Sequence, residues 1–337
     1  MERQRNLTID VMKGIGILLV ITGHISKNQQ INSWIYSFHM PLFFFISGIT
    51  CYMSNKTDFI KRKFKSLIIP YLIFSIITFA YWALIERQIR PSDSSIIGQF
   101  LNIFIAQAGS EHYIYNVVMW FLACLFMTEV IFYFLRKNIH DDRIIYILII
   151  ASAILGYGIS KYVNIRLPFC LDSTLVAIPF YGIGYFLANN IELIQSKLNN
   201  KNTAISIAIF SVLSIFIAYL YNGCDMNNNT YSNYILFYIL AFIGIAFTFT
   251  VSNTLNLSIL RFIGVNSLII MCIHEPIKRI LIKIVSVVTK IDINTLRQEF
   301  IWIGICSILL LLITFTAVYI INKYLPFMIG KKLIKQK

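Results

Sequence analysis

A chain of 337 residues that is 58% hydrophobic, only 13% charged and has a mean hydropathy of +0.72 is too apolar for a soluble domain and reads as a polytopic membrane protein. The net charge of +14 would suggest nucleic acid in a soluble protein; here the apolar background excludes that class and makes the placement of Lys and Arg the informative quantity. Cys51, Cys124, Cys170, Cys224, Cys272 and Cys306 are scattered with no C-x-x-C spacing, so they read as small core residues.

The first apolar run, Leu7–Ser26, is long enough to cross a bilayer yet carries Asp10, Lys13 and His24. Eleven positions of helix bring Lys13 and His24 back to nearly one face about 16 Å apart along the axis, with Asp10 on the same side. Each ionised group at depth costs about 2.5–3.5 kcal/mol on insertion scales, so such groups face a bundle interior or a wet cavity. The run is therefore expected to wall a polar tunnel, although Asp10 and Lys13 could also satisfy each other as an i,i+3 pair near the interface. Arg3 and Arg5 precede it as in a signal peptide, but the internal charges and the lack of a small-residue cleavage site argue for a retained span.

Nine further spans are expected at Ile31–Met53, Leu67–Ile85, Tyr115–Leu135, Ile144–Ser160, Ser173–Ala188, Thr203–Tyr221, Tyr234–Val251, Val265–Val288 and Phe300–Asn322. Ile96–Ala106 is too short to cross and is expected to lie at the interface or re-enter, and Pro41 should kink the second span. With the N-terminus inside, cytoplasmic loops and ends carry the majority of Lys and Arg, including the stretch Lys56, Lys61, Arg62, Lys63 and Lys65, and an even number of spans returns the C-terminus to the same side. The expected architecture is an all-α membrane bundle of about ten helices, both termini cytoplasmic, with residues 1–337 forming one transmembrane domain and no appended soluble domain. Asn222–Tyr231 (NGCDMNNNTY) reads as a polar turn.

Arg5–His24 (RNLTIDVMKGIGILLVITGH), Ser37–Gly48 (SFHMPLFFFISG), Ile68–Tyr71 (IIPY), Trp120–Leu122 (WFL), Pro179–Tyr185 (PFYGIGY) and Asn266–Ile277 (NSLIIMCIHEPI) occur in this order across the chain. In order and spacing the chain resembles the acyltransferase-3 family of integral membrane acyltransferases, and more closely its branch similar to fucose 4-O-acetylases. One departure concerns the basic loop, where relatives often carry R-x-x-R and this chain reads Arg62-Lys63-Phe64-Lys65, replacing a bidentate contact by a point charge.

The resemblance implies transfer of an acyl group, usually acetyl from acetyl-CoA, onto a hydroxyl of a sugar or cell-envelope glycan in the bacterial cytoplasmic membrane. The donor is a substrate; no permanently bound cofactor is expected. Lys61, Arg62, Lys63 and Lys65 could bind the CoA phosphates, with Lys13 lower in the tunnel, though a basic loop is also a plain topology signal. His24 is the candidate catalytic group, as general base or through an acetyl-imidazole. His39 and His274 could orient His24 or the acceptor, Glu275 could fix a tautomer or pair with Lys278, and Asp10 could hold Lys13. Arg166 and Asp172 are candidates for binding sugar hydroxyls. The five histidines show no H-x-x-x-H or H-E-x-x-H spacing, so no metal site is expected. Expected partners are acetyl-CoA, a glycan or lipid-linked sugar and membrane lipid, with no nucleic acid; a homo-oligomer is compatible. The competing reading is an exporter using Asp10, Lys13 and His24 as a polar pathway, against which stands the absence of an inverted repeat.

Overall fold

The computed structural model describes residues 6–53, 58–163, 165–197, 205–206, 208–213, 215–216, 223–255 and 257–331. Eight helices among them are long and apolar enough to cross a membrane. Helix α1 (Leu7–Ile25) starts where the Asn6 side chain accepts from Thr8 N–H and Ile9 N–H, and ends at Ser26 in extended geometry. Helix α2 (Gln29–Met53) continues through Pro41. Helix α3 (Phe59–Ile89) contains two π turns, Phe64–Ile68 and Trp82–Glu86, each of which shifts the faces of the helix on either side.

Helix α4 (Ile96–Ile105) is the short apolar piece expected from the sequence; it buries Gln99, Asn102 and Ile103 and stops at Ala106 in the left-handed region. Helices α5 (Val117–Asn138), α6 (Asp142–Tyr162) and α7 (Pro168–Lys197) follow. Residues 205–206, 208–213 and 215–216 are helical, and the remainder of the span expected at Thr203–Tyr221 lies outside the described residues. A two-stranded antiparallel hairpin, β1 (Cys224–Asp225) and β2 (Thr230–Tyr231), precedes α8 (Tyr234–Thr254).

The span expected at Val265–Val288 is helix α10 (Ser267–Thr289), carrying Glu275, Lys278, Arg279 and Lys283 and therefore less apolar than its neighbours; a short α9 (Ser258–Val265), which the sequence reading did not anticipate, precedes it and ends at Asn266. Helix α11 (Ile293–Gln298) turns the chain into α12 (Phe300–Tyr324), the eighth long apolar helix. This is an all-α bundle of a multi-pass membrane protein.

Helices α1, α2 and α7 form the centre, while α6 and α12 lie at the lipid-facing edge: 72% of the most apolar stretch of α7 is buried within the bundle, against 22% for α6 and 28% for α12. Two glycines set the central crossing. A Cβ on Gly48 would collide with the Tyr181 carbonyl and one on Gly184 with the Phe45 carbonyl, so α2 and α7 touch backbone to backbone, as small residues permit inside membranes. All six cysteines are free and buried, as core residues should be.

Candidate active site

Because successive spans run in opposite directions, the end of α1, the starts of α2, α5 and α7, and the end of α3 meet at one end of the bundle. His24 sits there in the last turn of α1. That turn has carbonyls with no helical partner, and α11 supplies one: Arg297 donates from Nε to the Ile25 carbonyl (2.8 Å) and from Nη2 to the His24 carbonyl (3.1 Å). Lys27 N–H donates in turn to the Arg297 carbonyl at 2.7 Å. The backbone carrying His24 is thus held from both sides.

Helix α10 brings His274 and Glu275 against it. His24 Nδ1 lies 3.5 Å from Glu275 Oε2, and the rings of His24 and His274 are 5.2 Å apart. Tyr36 and His39 continue the cluster along α2, with ring separations of 6.3 Å from His24 to Tyr36 and 4.9 Å from Tyr36 to His39. Backbone carbonyls fix two tautomers. His274 Nδ1 lies 2.7 Å from the Met271 oxygen and His39 Nδ1 2.8 Å from the Ile35 oxygen, so both carry their proton on Nδ1 and present Nε2 as a lone pair. His274 Nε2 is buried and has no hydrogen-bond partner among the described residues.

Glu275 is the hub of a buried ion network. Both of its oxygens accept from Lys278 Nζ at 2.7 Å, and Oε1 also accepts from Arg279 Nε at 3.3 Å. Arg279 Nη1 reaches both oxygens of Glu86 at 2.9 Å, and its Nη2 donates to the Ile114 carbonyl. The second π turn of α3 ends on Glu86, which couples that local irregularity to the site. Two carboxylates face Lys278 and Arg279, and the exposed Arg90 reaches Glu86 Oε1 at 3.5 Å from the rim, so each buried charge has a counter-charge, which is how charges persist at such depth.

His24, His274 and Glu275 each offer a ligand atom within 4.8 Å of the others, a cluster the dispersed sequence positions did not announce. Both Glu275 oxygens already accept from Lys278, so an ammonium stands where a divalent ion would seek the carboxylate. The cluster is accordingly suited to positioning an imidazole.

A cavity of about 210 Å³ opens beside His24. Its floor is His24, Tyr36, His39 and Met40, one wall is Val117 and Trp120, and its roof is Ser110 with Asp225, Met226 and Asn227 of the hairpin. Burial pushes the Asp225 carboxyl above the usual range, opposed by hydrogen bonds from Asn227 and Asn228. An imidazole with a carboxylate at one nitrogen, bordering a small polar cavity, is equipped to take a proton from a hydroxyl.

A family profile described as an acyltransferase domain matches residues 6–322. The chain belongs to the acyltransferase-3 family. Among curated proteins, this acyltransferase is 27% identical over 204 residues to nodulation protein NolL of Sinorhizobium fredii, covering 56% of the chain and 50% of NolL. It thus matches about half the length of that relative. No solved structure matches it.

The remaining expected residues separate into groups. Asp10 is buried and Lys13 half-buried on α1, well below the cavity and outside its lining. Lys61, Arg62 and Lys65 are exposed at the start of α3, at the opposite end of the bundle from His24. Lys63 turns inward, where its Nζ donates to Glu129 Oε1 at 2.6 Å. Arg166 and Asp172 pair with each other at 2.7 Å behind the cavity roof, and Arg166 Nη2 donates to Ser173 Oγ, which donates to the Met226 carbonyl. They brace the hairpin and do not line the cavity.

Sequence reasoning missed Glu86, Arg279, Arg297 and the hairpin side chains. The run His274-Glu275-Pro276-Ile277-Lys278-Arg279 held the signal for Arg279, since i,i+4 spacing places it beside Glu275. Nothing local to Glu86 or Arg297 marks them.

Proposed function

We propose that this acyltransferase moves an acetyl group from cytoplasmic acetyl-CoA to a hydroxyl of a sugar in a cell-envelope glycan, in the bacterial cytoplasmic membrane, with both termini inside. The observation that carries this reading is His24, bordering the cavity with Glu275 at its Nδ1. His24 Nε2 takes the proton from the acceptor hydroxyl as its oxygen attacks the thioester carbonyl, and Glu275 steadies the imidazolium. The tetrahedral intermediate then collapses, the C–S bond breaks, and His24 returns the proton to the departing CoA thiolate. An acetyl-imidazole route uses the same geometry in two displacements.

The donor enters from the far end. Lys61, Arg62 and Lys65 are exposed there to meet the CoA phosphates, while the Lys63 ammonium is taken by Glu129. The thin pantetheine arm then follows the α1 face past Lys13 towards His24. The test is transfer of label from acetyl-CoA in purified, reconstituted protein offered an envelope glycan extract. Wild type should label a glycan and His24→Ala should not; equal labelling by both would overturn the role of His24. Failure of the wild type to label any glycan or to bind acetyl-CoA would overturn the donor.

A further inference from the structure

The cavity beside His24 has a roof that the donor does not need. The hairpin β1–β2 is pinned before any ligand arrives: Asn227 Oδ1 accepts from Gly109 N–H and Asn228 Oδ1 from Ser110 N–H, each at 2.9 Å. Asp225 Oδ1 accepts from the backbone N–H groups of Asn227 (2.8 Å) and Asn228 (3.2 Å), and its Oδ2 from Asn228 Nδ2 (2.6 Å). Asn227 thereby has its oxygen occupied and its Nδ2 donors left for a ligand. Asp225 retains about one spare acceptor position, because a carboxylate offers about four and three are taken.

Size and charge narrow the ligand. A volume of 210 Å³ corresponds to about seven waters at about 30 Å³ each, room for one six-membered ring with its hydroxyls and too little for two. Tyr36 and Trp120 supply flat apolar faces, and Ser110, Asp225 and Asn227 supply hydroxyl, carboxylate and amide groups, a lining that suits a rigid ring with polar edges. The described lining residues contain one carboxylate and no Lys or Arg. Cations behind it are engaged: Lys278 by Glu275, Arg279 by Glu275 and Glu86, Arg166 by Asp172, Arg297 by the carbonyls of Ile25 and His24. An anionic ring would enter with no counter-charge and beside Asp225, which is costly in a desolvated cavity.

We propose that the hairpin and Ser110 form, with Tyr36 and Trp120, a binding site for one uncharged sugar ring, and that Asn227 and Asp225 select the acceptor. This rests on the reading of the cavity as the acceptor side of an acetyl transfer. It differs from the sequence expectation, which gave that task to Arg166 and Asp172.

The test uses full-length protein in nanodiscs and two probe sets, methyl glycosides of neutral hexoses and deoxyhexoses and the matching methyl uronides. Calorimetric titration measures binding and labelled acetyl-CoA measures transfer. At least one neutral glycoside should bind, and both its binding and its kcat/KM should exceed those of its uronide by about 100-fold. Asn227→Asp keeps the oxygen for Gly109 N–H but removes the donors, and should weaken the neutral glycoside by about tenfold or more with the KM for acetyl-CoA unchanged. Ser110→Ala should give a smaller loss in the same direction. Uronides bound as well as neutral rings, no glycoside bound at millimolar concentration, or Asn227→Asp without effect would each overturn the proposal. Neutral glycosides bound selectively but never acetylated would uphold this site and place the fault in the acetyl-CoA reading.

Discussion

Glu275 faces three partners of its own helix and of α1 at once, and each has a different claim on it. Lys278 and Arg279 need its charge, while His24 needs its position. Glu275→Gln should therefore act twice. Leaving Lys278 buried without a counter-charge is expected to cost about 3–5 kcal/mol, read as a lower melting temperature of the detergent-solubilised protein. Removing the group that steadies the His24 imidazolium should lower kcat by about 10²–10⁴-fold with little change in the KM for acetyl-CoA. The double variant Glu275→Gln with Lys278→Met separates the two, since it also removes the stranded charge. Its melting temperature should recover while its activity stays low; recovered activity would show that Glu275 acts on His24 only through folding. The sequence could offer His39 and His274 only as groups orienting His24 or the acceptor, because their tautomers are set by carbonyls of their own helices while their neighbours come from others.

Most helices were legible because lipid forces every backbone polar group to be satisfied within a helix, so long apolar runs have few alternatives. The start of α10 was read to within two residues, but the short α9 before it was not legible, since eight residues are too few for a span and no capping side chain marks its start. The hairpin at Asn222–Tyr231 was legible only as a turn. Its function as a cavity roof depends on Gly109, Ser110 and Ser173, more than fifty positions away in sequence, and run composition carries no trace of them. Glycines gave the opposite difficulty: nothing in the sequence separates one at a crossing from one facing lipid. Gly48→Ala should force α2 from the Tyr181 carbonyl and destabilise by about 1–3 kcal/mol. Gly304→Ala, on α12 with nothing within 4 Å of the added methyl, should be neutral or stabilise by roughly 0.5–1 kcal/mol through helix propensity. Thermal unfolding of the two variants in the same detergent checks the assignment of centre and edge. The α11 clamp belongs to this scale too. Arg297→Met loses both bonds to the end of α1, and should lower kcat roughly tenfold while the helices stay assembled.

Across the whole molecule, the candidate residues are divided between two ends joined by α1. The His24 end holds the cavity, the imidazoles and a closed ion network, and the other end holds exposed Lys61, Arg62 and Lys65 beside the turn Pro326–Ile329, which packs through Gly330 against the Lys65 carbonyl. Under the proposed function, donor phosphates at the basic end and the reacting carbonyl at His24 would make binding and chemistry independently adjustable. Neutralising the basic end with Lys61→Gln, Arg62→Gln and Lys65→Gln together should raise the KM for acetyl-CoA by roughly tenfold, with kcat nearly unchanged because His24 and Glu275 are untouched. The difference from wild type should shrink as salt is raised from about 0.01 M to 1 M, over which the Debye length falls from about 30 Å to about 3 Å. A short acetyl thioester lacking phosphates has nothing to place at that end, so wild type and variant should use it equally. A variant that loses the short thioester as well as acetyl-CoA would mean that these three residues support the bundle and do not read the donor.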